Sequence, residues 1–72
     1  VSSKYPLLSS TKIVNALKKD GFSPVSQKGS HLKLKKGSIV VIVPMHDEVA
    51  RGTLQSILEQ AVITLDHFLE LL

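Results

Sequence analysis

Ser30-His31-Leu32-Lys33-Leu34-Lys35, directly after Gly29, sets one imidazole and two ammonium groups at alternate positions of a strand-like stretch. Successive strand side chains point to opposite faces. Leu32 and Leu34 therefore share one face, and His31, Lys33 and Lys35 the other. The leucines suit a core. An imidazole moves protons near neutral pH, and lysines hold phosphates. Proton transfer beside a held phosphate is the chemistry of RNA cleavage, where the 2′-hydroxyl is the nucleophile. That reaction sets three tasks: remove the hydroxyl proton, balance charge on the phosphorane, and protonate the 5′ oxygen as it leaves. His31 as the neutral imidazole suits the first. Lys33 and Lys35 suit the second.

Lys28 and Lys36 lie at the two ends of this strand, where they can hold the flanking backbone. The Gly29-Ser30 amides and the Ser30 hydroxyl are further phosphate contacts. For the third task the candidates are a lysine and His46. His46 comes within reach of His31 if the second and third strands pair around Lys36-Gly37-Ser38. The plain alternatives are a structural or merely solvated histidine at 31 and an exposed loop histidine at 46. His67 reads as a surface residue of the last helix. The three histidines have no close metal-ligand spacing, so no metal site is expected. No Gly-rich phosphate loop or Ser-His-Asp arrangement marks a cofactor or a different chemistry.

These groups need elements to position them. Ser10 is placed to cap a helix over 11–20, with Ile13, Val14 and Leu17 on its apolar face. Gly21 is a fitting helix stop. A short strand is predicted over 22–26, at a sheet edge because Pro24 lacks a ladder donor. Lys28-Gly29 is a turn, and residues 30–35 form the second strand. The third strand, 39–43, does not alternate: every residue is apolar and β-branched. One of its faces should pack on helices. The other needs a cover, either the chain termini or another molecule. After a polar loop, Leu54, Ile57, Leu58 and Ala61 give helical spacing over 52–61. Thr64 caps a last helix carrying Leu65, Phe68, Leu69 and Leu72. The order α-β-β-β-α-α predicts an α+β fold: a three-stranded antiparallel sheet with helices on one face and the other face free.

The chain has 72 residues and no cysteine. That length means a single domain spanning 1–72, with residues 1–4 expected to lie outside its ordered part. Disulfides and cysteine-based metal sites are excluded. The longest apolar run, Ile39 to Val43, is too short to cross a bilayer, so a cytoplasmic protein with no membrane contact is expected. The formal net charge of +3 is unevenly spread. Residues 1–46 hold eight lysines against Asp20, whereas residues 47–72 hold Arg51 against five acids. The basic part points to an anionic partner, most simply nucleic acid. Aromatic content is 4%, so backbone contacts rather than base stacking should dominate binding. A non-catalytic double-stranded RNA-binding module is the alternative reading, and a protein-interaction domain a third.

Four blocks in order carry a family resemblance: Lys19-Asp20-Gly21-Phe22, Lys28-Gly29-Ser30-His31, Val43-Pro44-Met45-His46, and the run from Gly52 to Ala61. They resemble the HicA-type toxins, mRNA interferases of type II toxin–antitoxin pairs, over nearly the whole chain from Tyr5. The resemblance implies a fold similar to the double-stranded RNA-binding domain. It implies mRNA cleavage without metal or cofactor, and a HicB-type antitoxin that blocks the active site in a hetero-oligomer. A homo-oligomer is the other assembly considered. It also implies that His31 is the catalytic residue. Two departures stand out. Val62 occupies a position where the family usually has glycine, which bears on the left-handed stop between the last two helices. Leu32 and Leu34 stand where the family often has polar or aromatic residues.

Overall fold

A computed structural model describes residues 4–72. The expectation for the first residues concerns Val1, Ser2 and Ser3, which lie outside the described residues, and Lys4, which is exposed in a turn. The elements are α1 (Ser10–Lys19), β1 (Ser23–Lys28), β2 (His31–Lys36), β3 (Ile39–Pro44), α2 (Arg51–Ala61) and α3 (Leu65–Leu71). The three strands form one antiparallel sheet in the order β1-β2-β3. This is the predicted α+β layout. Gly29-Ser30 and Gly37-Ser38 make two-residue turns between paired Lys28 and His31 and between paired Lys36 and Ile39. Both glycines have φ near +60°, which a side chain would oppose.

The core lies between the sheet and the helices. Ile13, Val14, Ala16 and Leu17 of α1 meet Leu34, Val41 and Val43 of the sheet. Leu54, Ile57, Leu58 and Ala61 of α2 and Phe68 of α3 complete it. Helices cover β2 and β3 but not β1, which is exposed along its whole length. The sequence explains this: Ser23-Pro24-Val25-Ser26-Gln27-Lys28 has a single large aliphatic side chain, and Val25 stays 52% exposed. A register shift between Pro24 and Ser26 marks the edge strand, where a residue without a ladder donor is tolerated.

Helix ends differ in detail from the expectation. Ser9, not Ser10, is the N-cap of α1, and its Oγ accepts from the Lys12 amide at 3.3 Å. Ser10 is the first helical residue and is buried. Its Oγ and its amide both donate to the His46 carbonyl, at 2.9 and 3.0 Å. Two adjacent serines can both cap, and the tertiary partner at His46 decides between them. Thr64 caps α3 as predicted, accepting from the His67 amide at 3.1 Å. Val62 ends α2 in the left-handed conformation, with φ 58° and ψ 44°. The stop between the two last helices is therefore kept without glycine, at a cost of about 1–2 kcal/mol for an L-residue.

Candidate functional site

Strand alternation and ladder register assemble the outward face of the sheet in three rows. Lys28, His31 and Pro44 are cross-strand neighbours, as are Ser26, Lys33 and Ile42, and Ser23, Lys35 and Val40. Directly opposed residues of an antiparallel ladder put their side chains on the same face. Leu34 and Val41 form the opposed pair on the helix side, fully buried, and Leu32 packs there against the core. The face away from the helices is thus three-fold striped. Lysines and His31 run down the centre, Ser23, Ser26 and Lys28 flank them on β1, and Val40, Ile42 and Pro44 flank them on β3.

His31, Lys33 and Lys35 are all exposed. No strand carries an aspartate or glutamate, so none of the lysines on this face has a carboxylate within its row. Val40 and Ile42 are each 38% exposed. Among the described residues near the termini, Tyr5, Leu8 and Leu71 pack against the core instead.

Gly29 and Ser30 form the turn immediately before His31, with both residues exposed. The Ser30 carbonyl accepts from the Met45 amide at 2.6 Å, which extends the ladder one step past the His31–Pro44 pair and holds the end of the sheet together. Gln27 Nε2 donates to the Gly29 carbonyl at 3.2 Å.

Two residues singled out in the sequence are placed apart from this face. Lys36 has the parity of Leu32 and Leu34, and its chain folds over the α1 side. Its Nζ lies 3.1 Å from Asp20 Oδ2 and 5.8 Å from the centre of the Phe22 ring. His46 lies beyond the strand. Its carbonyl is held by Ser10 at the start of α1, its side chain is exposed, and no hydrogen bond joins it to His31 among the described residues.

His67, read from sequence as a plain surface residue, has a specific partner. Its Nε2 lies 2.7 Å from Asp20 Oδ1. Asp20 is the C-cap of α1 and its side chain is 10% exposed. The hydrogen bond from His67, then the bond and charge of Lys36, hold the Asp20 carboxyl below the usual carboxylate range against the opposing effect of burial. Nothing local signals this contact, because the two residues are 47 positions apart.

Among the described residues, no three His, Cys, Asp or Glu side chains gather as a metal-binding set. Nor, among the described residues, is any helix long and apolar enough to cross a membrane. A furrow of about 310 Å³ between α1 and the end of α3 is lined by Leu8, Ala16, Leu71 and Leu72 with Lys12 and Lys19 at its rim. It lies in the helix layer, away from His31.

Among curated proteins no sequence matches this chain. The family model describing the HicA toxin of bacterial toxin–antitoxin systems matches residues 10–63, from the first residue of α1 to just beyond α2. That span contains every row of the outward face, whereas α3 lies outside it. With three quarters of its length matched and the helix–sheet order in place, the chain belongs to the HicA toxin family.

Proposed function

We propose that this toxin is an endoribonuclease that cleaves mRNA on the outward face of its sheet, with His31 as the base. The observation that carries the reading is the central row pattern: an exposed imidazole at the end of a strand, one lysine beside it and two more along the same line, with no acid in the strands. The 2′-hydroxyl of RNA is its own nucleophile, so the reaction needs a proton acceptor and positive charge rather than a metal or cofactor. His31 accepts the hydroxyl proton. Lys33 and Lys35 balance the charge that builds on the phosphorane. The turn residues Gly29 and Ser30 contact the neighbouring phosphate.

The apolar strip of Val40 and Ile42 supports a single-stranded substrate. Bases of an unpaired strand can lie on it while the phosphates follow the lysines. Membership in a toxin–antitoxin family supports a HicB-type antitoxin as the partner. A cover over this same face would remove two exposed aliphatic side chains from water while presenting carboxylates to Lys33 and Lys35.

The test is cleavage of a long single-stranded RNA in the presence of EDTA by the wild type and His31→Ala. Because His31 is exposed, the variant is expected to fold as the wild type does, checked by circular dichroism. Cleavage should fall by at least about 100-fold. Undiminished cleavage by a folded His31→Ala would sink the assignment. RNA binding without cleavage by either protein would favour the non-catalytic RNA-binding module.

A further inference from the structure

We propose that Lys28 is the acid that protonates the leaving 5′ oxygen, acting across the strand pair from His31. The inference rests on the ribonuclease reading of this face. Lys28 and His31 are direct ladder partners, so their side chains leave the same face with Cβ atoms about 5 Å apart. The Gly29-Ser30 turn between them is two residues long, which fixes the register and hence the pairing.

The other candidates are elsewhere. The Lys36 ammonium is engaged by Asp20 on the helix side. His46 is past the end of the ladder, with its backbone tied to α1. Pro44, on the other flank of His31, has nothing to titrate. Lys33 and Lys35 are two and four residues along the same strand, about 7 and 13 Å from His31 by strand rise. That distance suits the charge of the reacting and adjacent phosphates.

In-line displacement puts the attacking and leaving oxygens on opposite sides of phosphorus, so base and acid must straddle it. Lysine's flexible four-carbon stem gives Lys28 that reach. The step balances. His31 takes the 2′-hydroxyl proton as the bond from that oxygen to phosphorus forms. The bond from phosphorus to the 5′ oxygen breaks, and the Lys28 ammonium passes that oxygen a proton. The products are a 2′,3′-cyclic phosphate and a 5′-hydroxyl. The resulting imidazolium and neutral amine are reset by proton exchange with water.

The experiment compares two short RNAs built around one site mapped on the long RNA. One has the ordinary 5′ oxygen at the scissile bond, and the other has sulfur there, which departs without needing a proton. Lys28→Gln is expected to cut the oxygen linkage about 100-fold more slowly and the sulfur linkage within a few-fold of the wild-type rate. Lys28→Arg, which keeps charge but gives up protons poorly, should behave the same way. Lys33→Gln should slow both linkages alike. Equal losses on both linkages in Lys28→Gln, full activity of Lys28→Arg on oxygen, or sulfur rescue of Lys33→Gln instead would each overturn the assignment. If the wild type cuts no site in the long RNA, the ribonuclease reading itself fails. If the wild type cleaves and His31→Ala does not, that reading stands and the Lys28 results judge this inference alone. β1 is exposed throughout, so the Lys28 variants are expected to fold.

Discussion

His67 Nε2 sits 2.7 Å from Asp20 Oδ1, joining α3 to the C-terminal end of α1. The same carboxylate takes the Lys36 ammonium at the end of β2. One largely buried acid thus ties three elements at a single corner. The corner spans the boundary of the family match, since Asp20 and Lys36 lie within 10–63 and His67 beyond it.

The acid limb of stability should report this corner. Asp20 has a lowered folded-state value against an ordinary 3.8. A carboxyl with a depressed folded value stabilises the fold fully above its unfolded value, and that contribution drains away as pH falls through the folded one. The wild type should therefore lose stability below about pH 4 more steeply than Asp20→Asn. Urea titrations across that range check it, and parallel acid limbs would refute it. At neutral pH, His67→Ala should cost about 1 kcal/mol, because a mostly buried acceptor loses one of two partners.

Val62→Gly should raise stability. The left-handed φ of 58° strains a β-branched residue, and Val62 is 75% exposed, so little packing is lost. Relief of about 1–2 kcal/mol exceeds the extra unfolded-chain entropy of glycine, about 0.4–1 kcal/mol. A net gain near 0.5 kcal/mol corresponds to a thermal midpoint higher by about 3 °C in a domain of this size. A lower midpoint would show that Val62 makes an unrecognised contribution.

Lysine substitutions should sort by face. In a His31→Ala background, Lys33→Gln and Lys35→Gln should each flatten the dependence of single-stranded RNA affinity on salt by about 0.7 in log–log slope. Lys36→Gln should leave that slope unchanged and lower stability, since its ammonium serves Asp20. Filter binding across a salt series, alongside thermal melts, separates the two outcomes.

Gln60 guards the outer edge of the sheet. Its Oε1 accepts from the Ile42 amide at 3.0 Å, filling a ladder position that edge strand β3 would otherwise leave open. In Gln60→Ala the Ile42 amide should exchange with solvent roughly tenfold faster while the Val41 and Val43 amides, which face β2, change little. Uniform acceleration would instead mean that the substitution loosens the whole domain.

The placement of the candidate site residues was more legible in the sequence than the joints around them. Alternation through His31, Leu32, Lys33 and Leu34 sorts side chains by face, and two Gly-Ser turns fix the register, so local rules suffice there. The parity of Lys36 with Leu34 already pointed it away from His31, yet its position at the strand end hid this. The Ser9 and Ser10 hydroxyls are equivalent as caps until the His46 carbonyl arrives from across the fold. Asp20 with His67 and Ile42 with Gln60 are contacts between distant segments, which periodicity cannot register. The bareness of β1 follows from composition: one exposed Val25 is too little to draw a helix over it.

The alternation of β2 also has an evolutionary consequence. Each residue of the strand answers either to the core or to the outward face, and neighbouring positions answer to different demands. On the proposed mechanism, drift at His31, Lys33 or Lys35 would silence or retune the toxin in single steps, with little penalty to folding because all three are exposed. Lineages would then carry intact but disarmed copies, each one side chain away from its former activity.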